Sequence, residues 1–159
     1  MTIRHKSMAV RSPDETAQLA RAIGARMAAG DCILLTGDIG AGKTHFARHL
    51  IQSRLETPED VPSPTFTLVQ TYDIPDGEIW HADLYRLTDP DEIEELGLTD
   101  AFDTAICLVE WPENLGPLAP ENALDLRIET DPDQETLRCL HFVWHDPKWD
   151  LKTECLTSA

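Results

Sequence analysis

The sequence lacks any long apolar run, and this absence excludes a membrane-spanning helix of ordinary length. No stretch of its 159 residues approaches the roughly 20 consecutive apolar residues that cross a bilayer. The first residues, Met1–Met8, carry Arg4 and Lys6 but lead into no apolar segment that ends in small residues, so they do not resemble a secretory leader. We therefore expect a cytoplasmic protein with no membrane attachment, and the length predicts one domain over residues 1–159.

Basic residues are also scarce. The chain has 13 lysines and arginines against 29 aspartates and glutamates, which gives a formal net charge of −16 at pH 7. Because like charges repel, this imbalance argues against independent binding to the phosphate backbone of RNA or DNA. An acidic surface suits docking to a basic protein partner, but it also serves solubility, and the charge alone does not decide between these roles.

Cysteine is sparse, and its spacing argues against a disulfide framework or a cysteine-based zinc site. The four cysteines are far apart, and the first three lie in apolar runs typical of strands, where cysteine behaves as a small hydrophobic residue. We expect Cys32, Cys107, Cys139 and Cys155 to be reduced core residues.

Local signals predict the first helices and strand. Ser12-Pro13-Asp14-Glu15 combines a capping serine, a proline suited to the first helical turn and a glutamate placed to close a capping box, so a helix starts here, and Gly30 is placed to end it. The apolar run Cys32–Leu35 predicts a short buried strand. Apolar residues from Phe46 to Ile51 then recur with helical periodicity, so the glycine-rich segment before them joins a strand to a helix.

The rest of the chain predicts further strands and one short helix. Glu56–Pro64 contains three prolines and is predicted to be a loop, because proline neither continues a helix nor donates to a sheet. The expected fold class is α/β, a three-layer sandwich around a mixed central sheet, with the strand order left open. The other predicted elements are the hairpin strands Phe66–Tyr72 and Glu78–Tyr85 around the turn Pro75–Gly77, the acidic helix Asp91–Leu98 ending at Gly97, the buried strand Ala105–Val109, and the antiparallel strands Ala123–Glu129 and Thr136–Trp144.

One segment carries the strongest chemical signal. Gly37-Asp38-Ile39-Gly40-Ala41-Gly42-Lys43-Thr44 matches the Walker A pattern Gly-x-x-x-x-Gly-Lys-Thr in full, between a predicted strand and a predicted helix. In such a loop the glycines let backbone N–H groups surround phosphates, the lysine neutralises the β and γ oxygens, and the threonine hydroxyl ligates Mg²⁺. A chance glycine turn is the alternative. The pattern predicts a P-loop NTPase-like fold that binds ATP or ADP with Mg²⁺ through Gly37, Asp38, Ile39, Gly40, Ala41, Gly42, Lys43 and Thr44.

Two carboxylates are candidates for the acid that hydrolysis requires beside a P-loop. Asp83 lies near the end of the strand Glu78–Tyr85, and Glu110 closes the apolar run Ile106–Val109, the usual position of a Walker B acid. Both are expected near the carboxyl edge of the sheet, where open α/β folds bind their ligands. An ordinary surface acid is the alternative for each, and which of the two ligates the metal stays open.

Thr65 is a candidate switch residue. It follows Ser63 and Pro64 on a predicted loop, where a threonine can add an oxygen to the magnesium shell when γ-phosphate is bound. A plain Ser-Pro-Thr turn is the alternative. The candidate catalytic residues are therefore Lys43, Thr65, Asp83 and Glu110, and the candidate metal ligands are Thr44, Asp83 and Glu110.

Five segments, taken together, carry a resemblance to a known family. They are Gly37–Thr44, Ser63–Val69, His81–Leu87, Glu95–Leu98 and Val109–Trp111. In order and spacing they resemble the bacterial tRNA threonylcarbamoyladenosine biosynthesis proteins of the TsaE family, formerly called YjeE, over most of the chain. The resemblance implies a weak, Mg²⁺-dependent ATPase that works with two partner proteins, TsaD and TsaB, in forming N6-threonylcarbamoyladenosine (t6A) in tRNA, and that meets tRNA only through this complex.

The resemblance also assigns roles to single residues. It implies that Lys43 contacts phosphate, that Thr44 and Glu110 lie at the magnesium ion, and that Asp83 is the other acid of the site. It further makes Thr65 a switch-like threonine and Trp111 the tryptophan beside the site.

The adenine side of the expected pocket departs from the family pattern. Glu135 stands where some relatives place a basic residue, for which Arg138 is a possible substitute, and Ala82 replaces a larger apolar residue. Asp14 is expected to border the nucleotide, although a favourable interaction with the helix dipole explains an acid in that first turn equally well.

Two other functions stay open. A small-molecule kinase shares the loop and the fold class, but it usually closes an arginine-bearing lid over the transferred phosphate, and Arg127 and Arg138 lie in predicted strands. A nucleotide-gated binding module that never hydrolyses ATP at a useful rate is the second alternative, in which Asp83 and Glu110 serve only to order the metal.

Overall fold

The computed structural model describes residues 2–38, 40–64, 67–87 and 89–156. Within this part of the chain, seven strands form one sheet. They are β1 (Arg4–Val10), β2 (Cys32–Thr36), β3 (Val69–Ile74), β4 (Gly77–Asp83), β5 (Ile106–Glu110), β6 (Leu124–Thr130) and β7 (Arg138–Trp144).

The sheet is mixed, with the strand order β1-β7-β6-β2-β5-β4-β3. Strands β6, β2, β5 and β4 form a parallel centre, whereas β7, β1 and β3 run antiparallel to their neighbours. The central strands β2 and β5 are nearly continuous apolar runs because both of their faces are covered. The parallel centre brings the carboxyl ends of β2, β4 and β5 to the same edge of the sheet.

Helices pack on both faces of the sheet. They are α1 (Pro13–Gly24), α2 (Lys43–Arg54), α3 (Asp91–Glu95), α4 (Leu98–Thr104) and α5 (Lys148–Lys152), with a 3-10 stretch at Pro112–Leu118. Alternate residues of β2 and β5 belong to two separate hydrophobic clusters, one of which includes Ile23 of α1 and Phe46 of α2 and the other Ile93 of α3 and Phe102 of α4. This arrangement confirms the predicted three-layer α/β sandwich with a mixed sheet. None of the described helices has the length and apolarity that crossing a membrane requires.

Helix α1 begins where the sequence predicts and ends earlier. The Ser12 hydroxyl accepts a hydrogen bond from the Glu15 N–H at 3.2 Å, which caps the helix as expected. The helix stops at Gly24, so the prediction that Gly30 ends it is wrong. The guanidinium of Arg54, on α2, donates to the carbonyls of Gly24 and Met27 at 2.7 Å each. It thus supplies a hydrogen-bond donor to carbonyls at and just after the end of α1. This partner is distant in sequence, so local spacing could not reveal it.

The later elements agree with the prediction in kind more than in their bounds. The hairpin of β3 and β4 and the antiparallel pair of β6 and β7 are confirmed. Strand β3 begins at Val69, directly after Leu68, whose backbone is left-handed with φ of 67°; the predicted start, Phe66, lies outside the described residues. The acidic helix α3 spans Asp91–Glu95, and Gly97, with φ of 82°, follows its C-cap Leu96 and so ends it as predicted, while also forming the N-cap of α4. Strand β1 was not predicted, because its apolar positions are too few to form a clear alternation.

The cysteine prediction holds for two of the four residues. Cys32 and Cys107 are buried in the central strands, whereas Cys139 and Cys155 are only half-buried; all four are free thiols. Cys139 is half-buried because it points to the less covered face of β7, opposite to its buried neighbours Leu140 and Phe142, and Cys155 follows the last helix, α5.

Candidate functional site

The loop between β2 and α2 turns sharply, and two of its glycines are required by that turn. A Cβ atom at Gly37 would lie 2.6 Å from the carbonyl oxygen of Ile128, so any side chain there would collide with the main chain of β6. Gly42 has φ of 117° and forms the N-cap of α2, where its carbonyl accepts from the Phe46 N–H at 2.9 Å. The loop therefore delivers the chain directly into the first turn of α2, with its N–H groups at the helix N-terminus.

Lys43 is buried at this helix start, and its ammonium group faces the loop. The Nζ atom donates to the carbonyls of Gly37 and Asp38, and it lies 3.8 Å from the centre of the Trp111 ring. Burial lowers the pKa of Lys43 from its ordinary value, while the nearby carboxylates of Glu110 and Asp83 act in the opposite direction. The Lys43 ammonium group thus lies between backbone carbonyls of the loop and the face of the Trp111 ring.

Thr44 and Glu110 are joined by hydrogen bonds. The Thr44 hydroxyl lies 2.8 Å from Oε1 and 3.0 Å from Oε2 of Glu110, to which it donates. The sheet explains this meeting, because Glu110 is aligned with Leu35 on the neighbouring strand β2, just before the loop. A hydroxyl and a carboxylate placed together in this way are oxygen ligands of the kind that Mg²⁺ accepts.

Asp83 lies beside Glu110 on the next strand. The two residues are aligned in the parallel pairing of β4 and β5, and both are buried. One oxygen of Asp83 accepts from the Tyr85 N–H at 3.1 Å. Tyr85 in turn packs against Trp111, with ring centres 4.9 Å apart. The structure therefore places both predicted acids at the carboxyl edge of the sheet, next to the loop.

His81 lies with Glu110 and Asp83, and it is not among the site residues predicted from the sequence. Its side chain is fully buried, and Nε2 lies 2.6 Å from Oε2 of Glu110. A usable signal exists in the spacing His81-Ala82-Asp83, because side chains two residues apart on a strand point to the same face. A histidine two positions before a candidate acid on a buried strand therefore belongs on the list of candidates.

These residues open onto a cleft of about 360 Å³. Its lining combines the loop, the two acids and the aromatic pair, so cationic, hydroxyl and carboxylate groups converge on one space. The lining residues are Gly40, Gly42, Lys43, Thr44, His45, Ser63, Asp83, Tyr85, Arg86, Glu110 and Trp111. Two predicted site residues, Ile39 and Thr65, lie outside the described residues.

A second cavity, of about 380 Å³, lies on the other side of the loop. Ser12, Pro13 and Thr16 at the start of α1 line it together with Arg138. Asp14 is exposed on the same helical turn, while its two preceding neighbours line the cavity. The Arg138 guanidinium donates from Nε to the carbonyl of Ala41 at 3.0 Å and so ties β7 to the loop.

The donor set fits a phosphorylated ligand together with a divalent cation. Backbone N–H groups at a helix N-terminus and a lysine suit phosphate oxygens. One hydroxyl and two carboxylates suit Mg²⁺, which is usually held by one or two carboxylates and completes its shell with water and substrate phosphates. The arrangement can thus hold negative and positive groups side by side in one cleft.

Comparison with protein families gives one match over most of the chain. The model of the family described as threonylcarbamoyl adenosine biosynthesis protein TsaE matches residues 10–138. This range includes all the elements that form the cleft.

Individual proteins show the same similarity. A tRNA threonylcarbamoyladenosine biosynthesis protein TsaE from Rickettsia bellii is 36% identical over 137 residues, which cover 86% of this chain and 95% of that protein. The protein of the same name from Bacillus subtilis is 36% identical over 125 residues, or 78% of this chain and 77% of that protein. The crystal structure of YdiB from Bacillus subtilis has a TM-score of 0.76 and 26% identity, covering 97% of this chain and 95% of that one.

Proposed function

This chain belongs to the TsaE family of threonylcarbamoyl adenosine biosynthesis proteins, and from that premise we propose that it is a Mg²⁺-dependent ATPase. Its role would be to support the proteins TsaD and TsaB in forming t6A in tRNA. The hydrolysis of ATP is slow in the isolated protein and faster with these partners. The protein acts in the cytoplasm and meets tRNA only through the complex.

The observation that carries this proposal is the contact between Thr44 and Glu110. A Walker A sequence alone predicts only that a nucleotide binds, because the loop contacts phosphates and leaves the chemistry to other residues. Here the last residue of the loop donates to a buried acid at the end of the neighbouring strand, at 2.8 and 3.0 Å. This pairing of a loop hydroxyl with a strand-end carboxylate supports a magnesium site beside the phosphates.

In this proposal, different groups of the chain bind the phosphates and the metal ion. The loop N–H groups and the Lys43 ammonium would bind phosphate oxygens, and Thr44 would offer its hydroxyl oxygen to the metal while the hydroxyl hydrogen stays bonded to Glu110. Bound Mg²⁺ supplies charge neutralisation at the transferred phosphoryl group. Asp83 provides a second carboxylate at the same edge of the sheet, and the Trp111 ring lies against the Lys43 ammonium.

The charge of the chain supports the proposal that tRNA is met only through the complex. A net charge of −16 gives the surface a strong negative field, which favours association with a basic protein surface and opposes direct contact with tRNA. We therefore propose that contact with the tRNA is made by the partners.

The two arginines weighed for a kinase lid, Arg127 and Arg138, are both held on strands of the sheet. Arg127 lies on β6 and forms an ion pair with Glu129 at 3.5 Å, and Arg138 binds the carbonyl of Ala41. Neither arginine belongs to a segment that could close over a transferred phosphate.

The test is phosphate release from ATP by the purified chain, alone and with TsaD and TsaB from the same organism. The native protein is compared with Glu110→Gln and with the matched control Glu121→Gln, which makes the same change at an exposed position. We expect the partners to stimulate release, the Glu110 variant to bind ATP but lose the stimulated turnover, and the control to behave as native.

Other results would identify another function. Stimulated turnover that survives in Glu110→Gln would remove this residue from its role. Native protein that binds ATP but never releases phosphate, even with both partners, would favour the nucleotide-gated binding module, and transfer of phosphate to a small acceptor would favour a kinase.

A further inference from the structure

His81 sits beneath the candidate magnesium site in a fully buried position. Its side chain has no solvent exposure, that of Glu110 has 3%, and Nε2 lies 2.6 Å from Oε2 of Glu110. This contact is shorter than the two that Thr44 makes with the same carboxylate. Glu110 is thus held from two sides, by Thr44 from the loop and by His81 from within the sheet.

The strand pairing brings the imidazole under the carboxylate. His81 is aligned with Leu108 on β5, and Glu110 follows Leu108 by two residues on the same face. Ile79, two residues before His81, and Leu108 both belong to the hydrophobic cluster that lies under α2. The imidazole therefore lies on the apolar, inner side of Glu110, away from the mouth of the cleft, where a hydrogen bond is stronger than in water.

The contact with Glu110 constrains where the imidazole carries hydrogen. A carboxylate accepts hydrogen bonds, so in the arrangement in which the ring holds it, Nε2 carries the hydrogen and Oε2 receives it. The other ring nitrogen, Nδ1, is buried and has no hydrogen-bond partner within the described part of the chain. A buried polar atom without a partner costs stability, and an apolar side chain at this position would avoid that cost. Packing alone therefore does not account for a histidine here.

We propose that His81 is a positioning residue, which fixes the orientation of the Glu110 carboxylate so that Oε1 is turned to the Thr44 hydroxyl. It does not touch phosphate. This inference rests on the proposed function in so far as Thr44 and Glu110 serve the metal. Without the imidazole, the carboxylate can rotate and share its oxygens differently, and the hydroxyl loses its fixed acceptor. The site then requires more Mg²⁺, while the loop continues to bind phosphate.

Three substitutions separate positioning from packing. His81→Gln keeps an amide nitrogen at the same number of bonds from Cβ as Nε2. His81→Asn shortens the side chain by one bond, so its amide matches the position of Nδ1 and cannot reach Glu110. His81→Leu removes the polar group. The Gln and Asn variants both bury an amide, so a difference between them reports the hydrogen bond rather than general damage to the core.

The first measurement is the Mg²⁺ dependence of ATP binding and of hydrolysis with both partners. We expect His81→Asn and His81→Leu to raise the Mg²⁺ concentration at half-saturation by roughly 10- to 100-fold, the range seen when an outer partner of a metal ligand is lost. Binding of ATP in the absence of Mg²⁺ should stay close to native, and His81→Gln should restore most of the Mg²⁺ affinity. If the Gln and Asn variants are equally impaired, or if the Leu variant keeps native Mg²⁺ dependence, the proposal is wrong.

The second measurement needs neither nucleotide nor activity. It therefore tests the hydrogen bond between His81 and Glu110 even if the proposed function is wrong. Nitrogen-15 NMR of the histidine rings in the folded, nucleotide-free protein distinguishes which ring nitrogen carries hydrogen, and His81→Gln identifies the His81 signals. We expect hydrogen at Nε2 and a change in that signal in Glu110→Gln. A ring with hydrogen only at Nδ1 overturns the inference. Native protein with the expected ring signals but no Mg²⁺-dependent binding of ATP would instead refute the proposed function.

Discussion

The Thr44 hydroxyl donates to both carboxylate oxygens of Glu110, although 66 positions separate the two residues in sequence. Thr44 stands at the start of α2 and Glu110 at the end of β5, and the parallel pairing of β2 with β5 brings these two ends together. The pairing of the central strands therefore creates the site. Single substitutions can test the contributions of the Thr44 hydroxyl and the Lys43 ammonium separately from the stability of the fold.

Replacing Thr44 tests the hydroxyl. Thr44→Ala removes the atom that bonds to Glu110, whereas Thr44→Ser keeps the hydroxyl and loses only a methyl group. We expect the Ala variant to bind Mg²⁺ more weakly by roughly 10- to 100-fold or more, the loss seen when the surroundings of a metal site are disturbed. The affinity of the Ser variant for Mg²⁺ should stay within a few-fold of native. Titration of Mg²⁺ against bound ATP measures both. Equal affinity in the Ala and Ser variants would contradict a role for the hydroxyl.

Replacing Lys43 tests the cation. Lys43→Ala removes the ammonium group at the loop, and hydrogen bonds to a charged group contribute about 1.5–3 kcal/mol, so ATP binding should weaken by roughly 10- to 100-fold. Lys6→Ala is the control, because Lys6 lies on β1, away from the loop, and its ammonium donates to the carbonyl of Thr153 at 3.4 Å. Equilibrium binding of ATP is the measurement. A loss shared by both variants would point to the overall charge of the protein rather than to the loop.

A buried carboxylate far from the cleft holds the last helix to the sheet. Asp31 accepts from the Ala28 N–H at 2.8 Å and pairs with Lys148 and Lys152 of α5. Both lysines are about a quarter exposed or less, so solvent screens part of the attraction. We expect Asp31→Asn to lower the free energy of unfolding by about 1–3 kcal/mol in urea.

The control for Asp31 is the same substitution at an exposed aspartate that also pairs with a basic side chain. Asp76 is 86% exposed and lies 3.8 Å from Arg54, so Asp76→Asn should change stability by no more than about 0.5 kcal/mol. Equal effects of the two substitutions would show that burial does not strengthen the Asp31 contacts.

Alkaline pH should destabilise the protein through a buried thiol. Burial raises the pKa of Cys107 to about 12 from an ordinary value of 9.0. The folded state therefore favours the neutral thiol, and its contribution to stability is complete below pH 9.0 and is lost as the pH rises toward 12. Within that window a single such group changes the free energy of unfolding by up to about 1.4 kcal/mol per pH unit.

Urea unfolding at several pH values between about 8 and about 10.5 measures the effect. Cys107→Ala should be less stable at the lower pH, because it leaves a small cavity, yet it should lose less stability as the pH rises. The half-buried Cys155 serves as the control, and Cys155→Ala should keep the native slope. Parallel slopes for native protein and Cys107→Ala would contradict the prediction.

Much of the fold could be predicted because it is encoded in short stretches. The start of α1 follows from Ser12 and Glu15, and the buried strands β2 and β5 follow from their continuous apolar residues. These features depend on the backbone preferences and burial of adjacent residues. The edge strand β1 and the early end of α1 could not be predicted in this way, because pairing with β7 and the guanidinium of Arg54 come from distant parts of the chain.

By itself, the sequence determined the loop Gly37–Thr44, its position between a strand and a helix, the α/β class and the motifs that match one family, because each is written in contiguous residues. Only the tertiary structure decided that Thr44 meets Glu110, that Asp83 is aligned with Glu110, and that His81 lies beneath them. Such meetings depend on strand order and register, which are settled by the packing of the whole sheet rather than by any one segment.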